Sequence, residues 1–165
     1  MLEAIPEPGA IDLLPRASLI LPPGAAGNQA AIWMGGARAL RGEEVHASAL
    51  GGSWIVDAAG DMPGGHAAAA ARVVHCVFAD LEETPPNLAR IREIVQELAA
   101  ARAHRAGPKG LYIVCAQGLN RSGLLTGLLL RSFGLTGEDA LTRIREARPG
   151  ALANHAFERL VRTGS

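Results

Sequence analysis

The chemistry this sequence can do is concentrated in one run of eleven residues, Ile113-Val-Cys-Ala-Gln-Gly-Leu-Asn-Arg-Ser-Gly123. A cysteine closes an apolar, strand-like stretch, a glycine-containing turn follows, and an arginine and a serine open a helical one. A turn of that kind aims successive backbone N–H groups into one concavity, and the helix N-terminus adds partial positive charge. Together they suit a tetrahedral dianion. Gly118 allows the backbone angles that such a cradle requires. Arg121 offers a planar fork that binds two oxygens of the anion. With Arg121, the residues Ala116, Gln117, Gly118, Leu119 and Asn120 are the expected phosphate-binding group. Helix N-termini and cationic neighbours favour thiolates, and a thiolate at Cys115 is a nucleophile aimed at phosphorus. The amides and Arg121 supply the charge that a metal would otherwise bring, so neither a metal nor an organic cofactor is expected.

The other candidates read differently. Cys76 lies on a β-like run and is expected to be a small buried hydrophobe. His75-Cys76 is not a second copy of the loop, because Glu82 rather than an arginine stands six residues after Cys76 and no glycine intervenes. Two cysteines make neither a disulfide scaffold nor a Cys-built zinc site, and His46, His66, His75, His104 and His155 have no metal-ligand spacing. Ser122 also suits a helix start for its own sake. Arg143, Arg145 and Arg148 are interleaved with Glu146 on a helix and read as a solvated face, with the mouth of the site as an alternative place for one of them.

The elements around the run must hold it in place. Leu111–Val114 is a short apolar stretch of the kind found in buried parallel strands, and Ser122–Phe133 is a helix apolar nearly all round. Asn87–Ala103 places Leu88, Ile91, Ile94, Val95 and Leu98 on one helical face and charges on the other. Ser18–Leu21, Ala31–Met34 (closed by Gly35-Gly36), Ser53–Val56 and Val73–Phe78 read as further strands. Ala67–Ala71 reads as a helical turn limited at its start by Gly64-Gly65. Thr136 caps a helix running to about Arg148, and Asn154–Val161 is a short last one. Strands alternating with helices predict an α/β fold, a single domain with a central, mostly parallel twisted sheet of four to five strands flanked by helices. Residues 1–30, rich in proline, are an irregular lead-in packed on the domain formed by 31–165.

The chain has 165 residues, 48% of them hydrophobic, with 16 basic and 16 acidic side chains. That length suits one sizeable core, and that neutrality argues against wide nucleic-acid or anionic-membrane binding. The charges are unevenly spread: residues 1–83 carry 4 basic and 10 acidic side chains, residues 84–165 carry 12 and 6. A basic C-terminal half suits a small anion. The N-terminal stretch lacks a positive leader, and its apolar runs are broken by Pro6, Pro8 and Pro15, so no signal peptide is expected. Leu124–Leu130 is far short of a membrane span. The expectation is a soluble, cytoplasmic monomer with reduced thiols.

Cys115-x5-Arg121-Ser122, with Gly118 between, resembles the signature loop of the cysteine-dependent protein tyrosine phosphatases, and more particularly that of the compact dual-specificity branch. Leu124–Leu130 and Gly134-Leu-Thr-Gly-Glu-Asp-Ala140 are similar to the helix and turn that follow that signature. Arg148-Pro-Gly-Ala-Leu-Ala-Asn154-x2-Phe157 resembles the branch's C-terminal segment, and Ala31–Gly36 with Ile55–Pro63 its early strands. The resemblance implies a phosphomonoester hydrolase working through a phosphocysteine, with a phosphorylated protein or small phosphoester as substrate. It implies a general acid on a separate loop, a place matched by Asp80, 35 residues before Cys115. Glu82 and Glu83 compete for that role, and Asp57 and Asp61 stay open behind them. Ser122 is implied to donate to the Cys115 sulfur, and Asn154 is taken as structural, bonding loop backbone. One position departs from the pattern: Val114 stands where the family usually has a histidine that orients the loop. Two other readings stay open, a phosphate-binding module without turnover and a rhodanese-like sulfur transferase.

Overall fold

The computed structural model describes residues 17–24, 29–37, 50–60, 62 and 64–165. Asp61, His46 and most of the proline-rich lead-in lie outside the described residues. The strand that ends in Cys115 is the centre of the sheet. This is β5 (Gly110–Cys115), buried at every residue. Its side chains alternate between the two faces, as strand geometry requires. Leu111, Ile113 and Cys115 enter the large core beneath the helices, whereas Tyr112 and Val114 join Ala17, Leu50 and Ile55 in a smaller cluster.

On either side of β5 run β2 (Ala31–Gly36) and β3 (Trp54–Asp57), both parallel to it. At the edges, β1 (Ser18–Leu21) is antiparallel to β2 and β4 (Arg72–His75) is parallel to β3, giving the order β1-β2-β5-β3-β4. Parallel strands finish at the same sheet edge, so Gly36 pairs with Cys115 and Asp57 with Val114. That carboxyl edge is where open α/β sheets build their sites.

Five helices complete the described residues: α1 (Gly64–Ala69), α2 (Leu88–Ala103), α3 (Arg121–Ser132), α4 (Gly137–Ala147) and α5 (His155–Thr163). In α2, Ile91, Ile94, Val95 and Leu98 are buried and the interleaved charges are exposed, as their spacing predicts. In α3 every residue from Ser122 to Leu130 is buried, which fits a helix with almost no polar face. The Thr136 hydroxyl accepts from the Asp139 N–H at 3.1 Å and caps α4.

Three of the boundaries that differ from the sequence expectation have an identifiable cause. The strand expected over Val73–Phe78 ends at His75, because its partner β3 stops at Asp57. Two more backbone bonds, Cys76 N–H to Asp57 O and Phe78 N–H to Ala58 O, follow the last paired residue before the chain leaves the sheet as a loop. β2 runs through Gly35-Gly36 rather than closing there. A Cβ at Gly36 would lie 2.8 Å from the Gln117 carbonyl carbon, so a glycine is needed to let the 116–118 backbone approach. Helix α1 includes both Gly64 and Gly65, their low propensity confined to an exposed first turn.

Helix α3 passes close to α5 at Gly127, where a Cβ would lie 2.5 Å from Val161 Cγ2. Val161 is β-branched and fully buried, so it cannot swing aside. Gly127→Ala is therefore expected to destabilise the fold by about 1–3 kcal/mol through overpacking, read as a lowered Tm in thermal unfolding. An unchanged or raised Tm would show that the two helices separate freely.

Candidate active site

Cys115 is the last residue of β5 and Arg121 the first of α3, so the five residues between them make the strand-to-helix turn at the sheet edge. Gly118 takes φ +75°, and a Cβ there would lie 2.3 Å from the Gly35 carbonyl carbon. The position therefore requires glycine on both conformational and steric grounds.

The direction of the loop's amides follows from what its carbonyls do. Arg148 Nε donates to Gly118 O at 2.8 Å and its Nη2 to Gln117 O at 3.3 Å. The Leu152 N–H donates to Leu119 O at 3.1 Å. All three carbonyls thus face outward. In a trans peptide the N–H of the next residue points the opposite way, which turns the N–H groups of Gly118, Leu119 and Asn120 inward. The first is seen directly: Gly118 N–H lies 3.2 Å from Cys115 Sγ and donates to it. Ser122 Oγ is 3.3 Å from the same sulfur.

Arg148 lies at the end of α4 and is 1% exposed. This corrects the reading of Arg143, Arg145 and Arg148 as one solvated face. Arg143 is exposed, but Arg148 is turned under the loop, with a third bond from Nη1 to Ser18 Oγ at 3.2 Å. Burial lowers the pKa of its guanidinium, and the negative charge of a Cys115 thiolate acts against that shift. Arg145 donates to Ala151 O and Leu152 O at 3.1 and 2.9 Å and pairs with Glu158. Those bonds hold a turn in which Leu152 adopts φ 59°, strained for a branched side chain. Leu152 in turn packs against Gly123, where a Cβ would come within 2.9 Å of it.

Cys115, Arg121 and Asp80 line one pocket of about 200 Å³ together with Ala116, Gln117, Leu119 and Asn120. Arg121 Nη1 is 3.5 Å from Phe78 O, while its buried Nε has no hydrogen-bond partner. A buried donor without a partner costs about 1–3 kcal/mol, so this one is suited to an anion.

Asp80 sits on the loop after β4, which is anchored by Phe78 packed edge-on against Phe157 of α5 with ring centroids 5.7 Å apart. Its carboxylate accepts from Asn120 Nδ2 at 3.1 Å and Asn154 Nδ2 at 2.8 Å. Both bonds hold it at the pocket. Glu82 instead accepts from the His155 N–H at 2.9 Å and caps α5, and Glu83 is exposed. Asp57 is buried and turned onto the N–H groups of Ala59 and Gly60 at 3.1 and 2.8 Å. Asn154 caps α5 by accepting from Phe157 N–H, and it also donates to Leu81 O at 2.8 Å. Its contact with Asp80 goes beyond the backbone role expected of it.

The structure therefore gathers Cys115, Arg121, Asp80 and Ser122. Sequence reasoning missed Arg148, the Asp80 contact of Asn154 and the tight approach of Gly36. A double glycine at a strand end was the available signal for the last. Val114 is fully buried in the apolar cluster on the far face of the sheet. Among the described residues no group of three or more His, Cys, Asp or Glu side chains is placed to hold a metal ion.

A strand-ending cysteine, an amide-lined turn and an arginine at a helix start define a cysteine-loop α/β protein. Comparison with solved structures gives the particular fold. Human DUSP28 superposes with a TM-score of 0.69 at 24% identity, over 96% of this chain and 94% of that one. Tk-PTP in its active form gives 0.62 at 21% identity, over 90% and 95%. Human tyrosine phosphatase-like serine/threonine/tyrosine-interacting protein gives 0.65 at 15% identity, over 90% and 94%. No family model and no curated protein matches the chain. The chain has the compact dual-specificity phosphatase fold.

Burial pushes the Cys76 thiol up to about 11, so it stays protonated at neutral pH, whereas Cys115 lines the pocket. Iodoacetate at pH 7 is expected to label Cys115 and spare Cys76, read by peptide mass mapping. Labelling of Cys76 first would contradict this placement.

Proposed function

We propose that the protein is a phosphomonoester hydrolase acting through a phosphocysteine. The observation that carries the reading is the convergence on one pocket of the Cys115 sulfur, which accepts from the Gly118 N–H, the Arg121 guanidinium with its unpartnered Nε, and the Asp80 carboxyl. Phosphate oxygens bind to the amides and Arg121, which stabilise the charge spread over them in the transition state. The Cys115 thiolate attacks phosphorus as the bond to the leaving oxygen breaks, and Asp80 gives that oxygen its proton. Water then attacks phosphorus and passes a proton to the Asp80 carboxylate. The S–P bond breaks, phosphate leaves, and the Ser122 hydroxyl donates to the departing thiolate.

Several contacts support the choice of Asp80. It lines the pocket and is held by two side-chain amides, whereas Glu82 is engaged in capping α5. Val114 leaves the loop without the family's usual histidine. Here Arg148 supplies orientation from below through two carbonyls. The class of substrate is a phosphorylated protein or a small phosphoester, handled by a soluble, cytoplasmic monomer.

Cys115→Ser is expected to abolish turnover of p-nitrophenyl phosphate while vanadate and inorganic phosphate still bind. Retained turnover would remove the nucleophile from its role, and binding without turnover in the unmodified protein would favour the phosphate-binding module. In the same assay series, Asp80→Ala is expected to slow alkyl or other poor leaving groups by roughly 10²–10⁴-fold and good ones much less. Equal losses on both would assign the proton elsewhere.

A further inference from the structure

Two asparagines meet the Asp80 carboxylate from separate parts of the chain. Asn120 stands directly before Arg121 in the loop and donates from Nδ2 to Asp80 Oδ2 at 3.1 Å. Asn154, 34 residues later, donates from Nδ2 to Asp80 Oδ1 at 2.8 Å. An asparagine amide has an accepting end and a donating end, and which of them faces a partner is set by its other bonds. Here those bonds leave no choice. Asn120 Oδ1 accepts from the Asn154 N–H at 3.1 Å, and Asn154 Oδ1 accepts from the Phe157 N–H at 3.1 Å where it caps α5. A flipped amide would set its NH2 group against a backbone N–H and its oxygen against a carboxylate oxygen, two repulsive contacts in place of two bonds. Backbone donors therefore compel both NH2 groups to face Asp80.

The donating ends are free for this task. The cap of α5 uses only the oxygen of Asn154, whose NH2 group spans Asp80 Oδ1 and, at 2.8 Å, Leu81 O on the same loop. Asn120 faces the anion site with its main chain, because its N–H is turned inward when the Leu119 carbonyl accepts from Leu152. Its side chain faces the carboxylate instead. Each Asp80 oxygen thus accepts one amide N–H, and a lone pair in use cannot carry a proton. When Asp80 is protonated, its O–H is restricted to the positions turned away from the two amides. Asp80 lines the pocket with Cys115 and Arg121.

We infer that Asn120 and Asn154 are positioning residues for the leaving-group step, holding the Asp80 carboxyl so that its proton is presented to the pocket. This rests on the phosphatase reading and assigns a role within it. The test compares kcat/KM for p-nitrophenyl phosphate, whose leaving group departs readily without a proton, with that for phenyl phosphate, whose leaving group needs one. It uses Asn120→Ala, Asn154→Ser, Asp80→Ala and each asparagine variant combined with Asp80→Ala. Serine at 154 keeps an acceptor for the α5 cap, so it carries the test should Asn120→Ala fail the check by thermal unfolding. Each asparagine variant is expected to raise the preference for p-nitrophenyl phosphate at least about tenfold, through kcat rather than KM, as a share of the ~10²–10⁴-fold that a general acid supplies. Added to Asp80→Ala, neither should raise the preference further, because groups acting as one unit are not additive. Equal losses on both substrates, or a preference that grows again in the Asp80→Ala background, would reduce the asparagines to holding the fold and overturn the inference while the phosphatase reading stands. A preference unchanged by Asp80→Ala itself removes the acid, and no turnover by the unmodified protein removes the phosphatase reading; either result takes the inference with it.

Discussion

The site depends on one buried guanidinium. Arg148 takes the carbonyls of Gln117 and Gly118 from beneath the loop, and because those peptides are planar and trans, fixing the carbonyls outward fixes the following amides inward. That fastening gives the amides of Gly118 and Leu119 a common direction, and the Leu152 N–H does the same for Asn120 through the Leu119 carbonyl. With it, the two amides are aligned before any ligand arrives, so on the proposed reading little reorganisation accompanies the chemistry. Gly118 and Gly36 make the arrangement sterically possible: at both positions a Cβ would run into backbone across the gap between β2 and the loop.

The Asp80 carboxylate is held by a parallel device. Asn120 belongs to the loop and Asn154 to the cap of α5, and the two amides grip opposite oxygens of Asp80. Asn154 N–H also donates to Asn120 Oδ1 at 3.1 Å, which ties the cap to the loop directly. Cys115, the 116–120 loop and Asp80 are therefore positioned relative to one another through the segment 148–154, itself fixed by Arg145 and by the strained turn at Leu152. A distant-looking C-terminal stretch is part of the site.

Much of this was legible in the sequence, and the rest for identifiable reasons was not. The five strands, the buried α3 and the Thr136 cap follow from local alternation, apolar runs and capping chemistry, which are short-range signals. The loop itself is contiguous, so its residues together with the strand before and the helix after marked Cys115, Gly118 and Arg121, and the family resemblance added a role for Ser122. Arg148 was misread because an arginine among charges on a helix looks solvated. The helix is expected to end at about that residue, but only tertiary packing places that end under a loop about thirty residues earlier in the chain. The choice among Asp80, Glu82 and Glu83 likewise needed the position of α5, since Glu82 is withdrawn by a cap that no local pattern announces. The end of β4 depended on where its neighbour β3 stopped.

The central claim, that Arg148 sets the direction of the anion-binding amides, is tested most directly by inorganic phosphate binding to Arg148→Lys, measured by calorimetry on protein shown to unfold cooperatively. Lysine keeps the positive charge but not the planar fork that reaches two carbonyls. The account predicts that phosphate affinity falls at least about tenfold in this folded variant. Phosphate binding as tight as in the unmodified protein would contradict it.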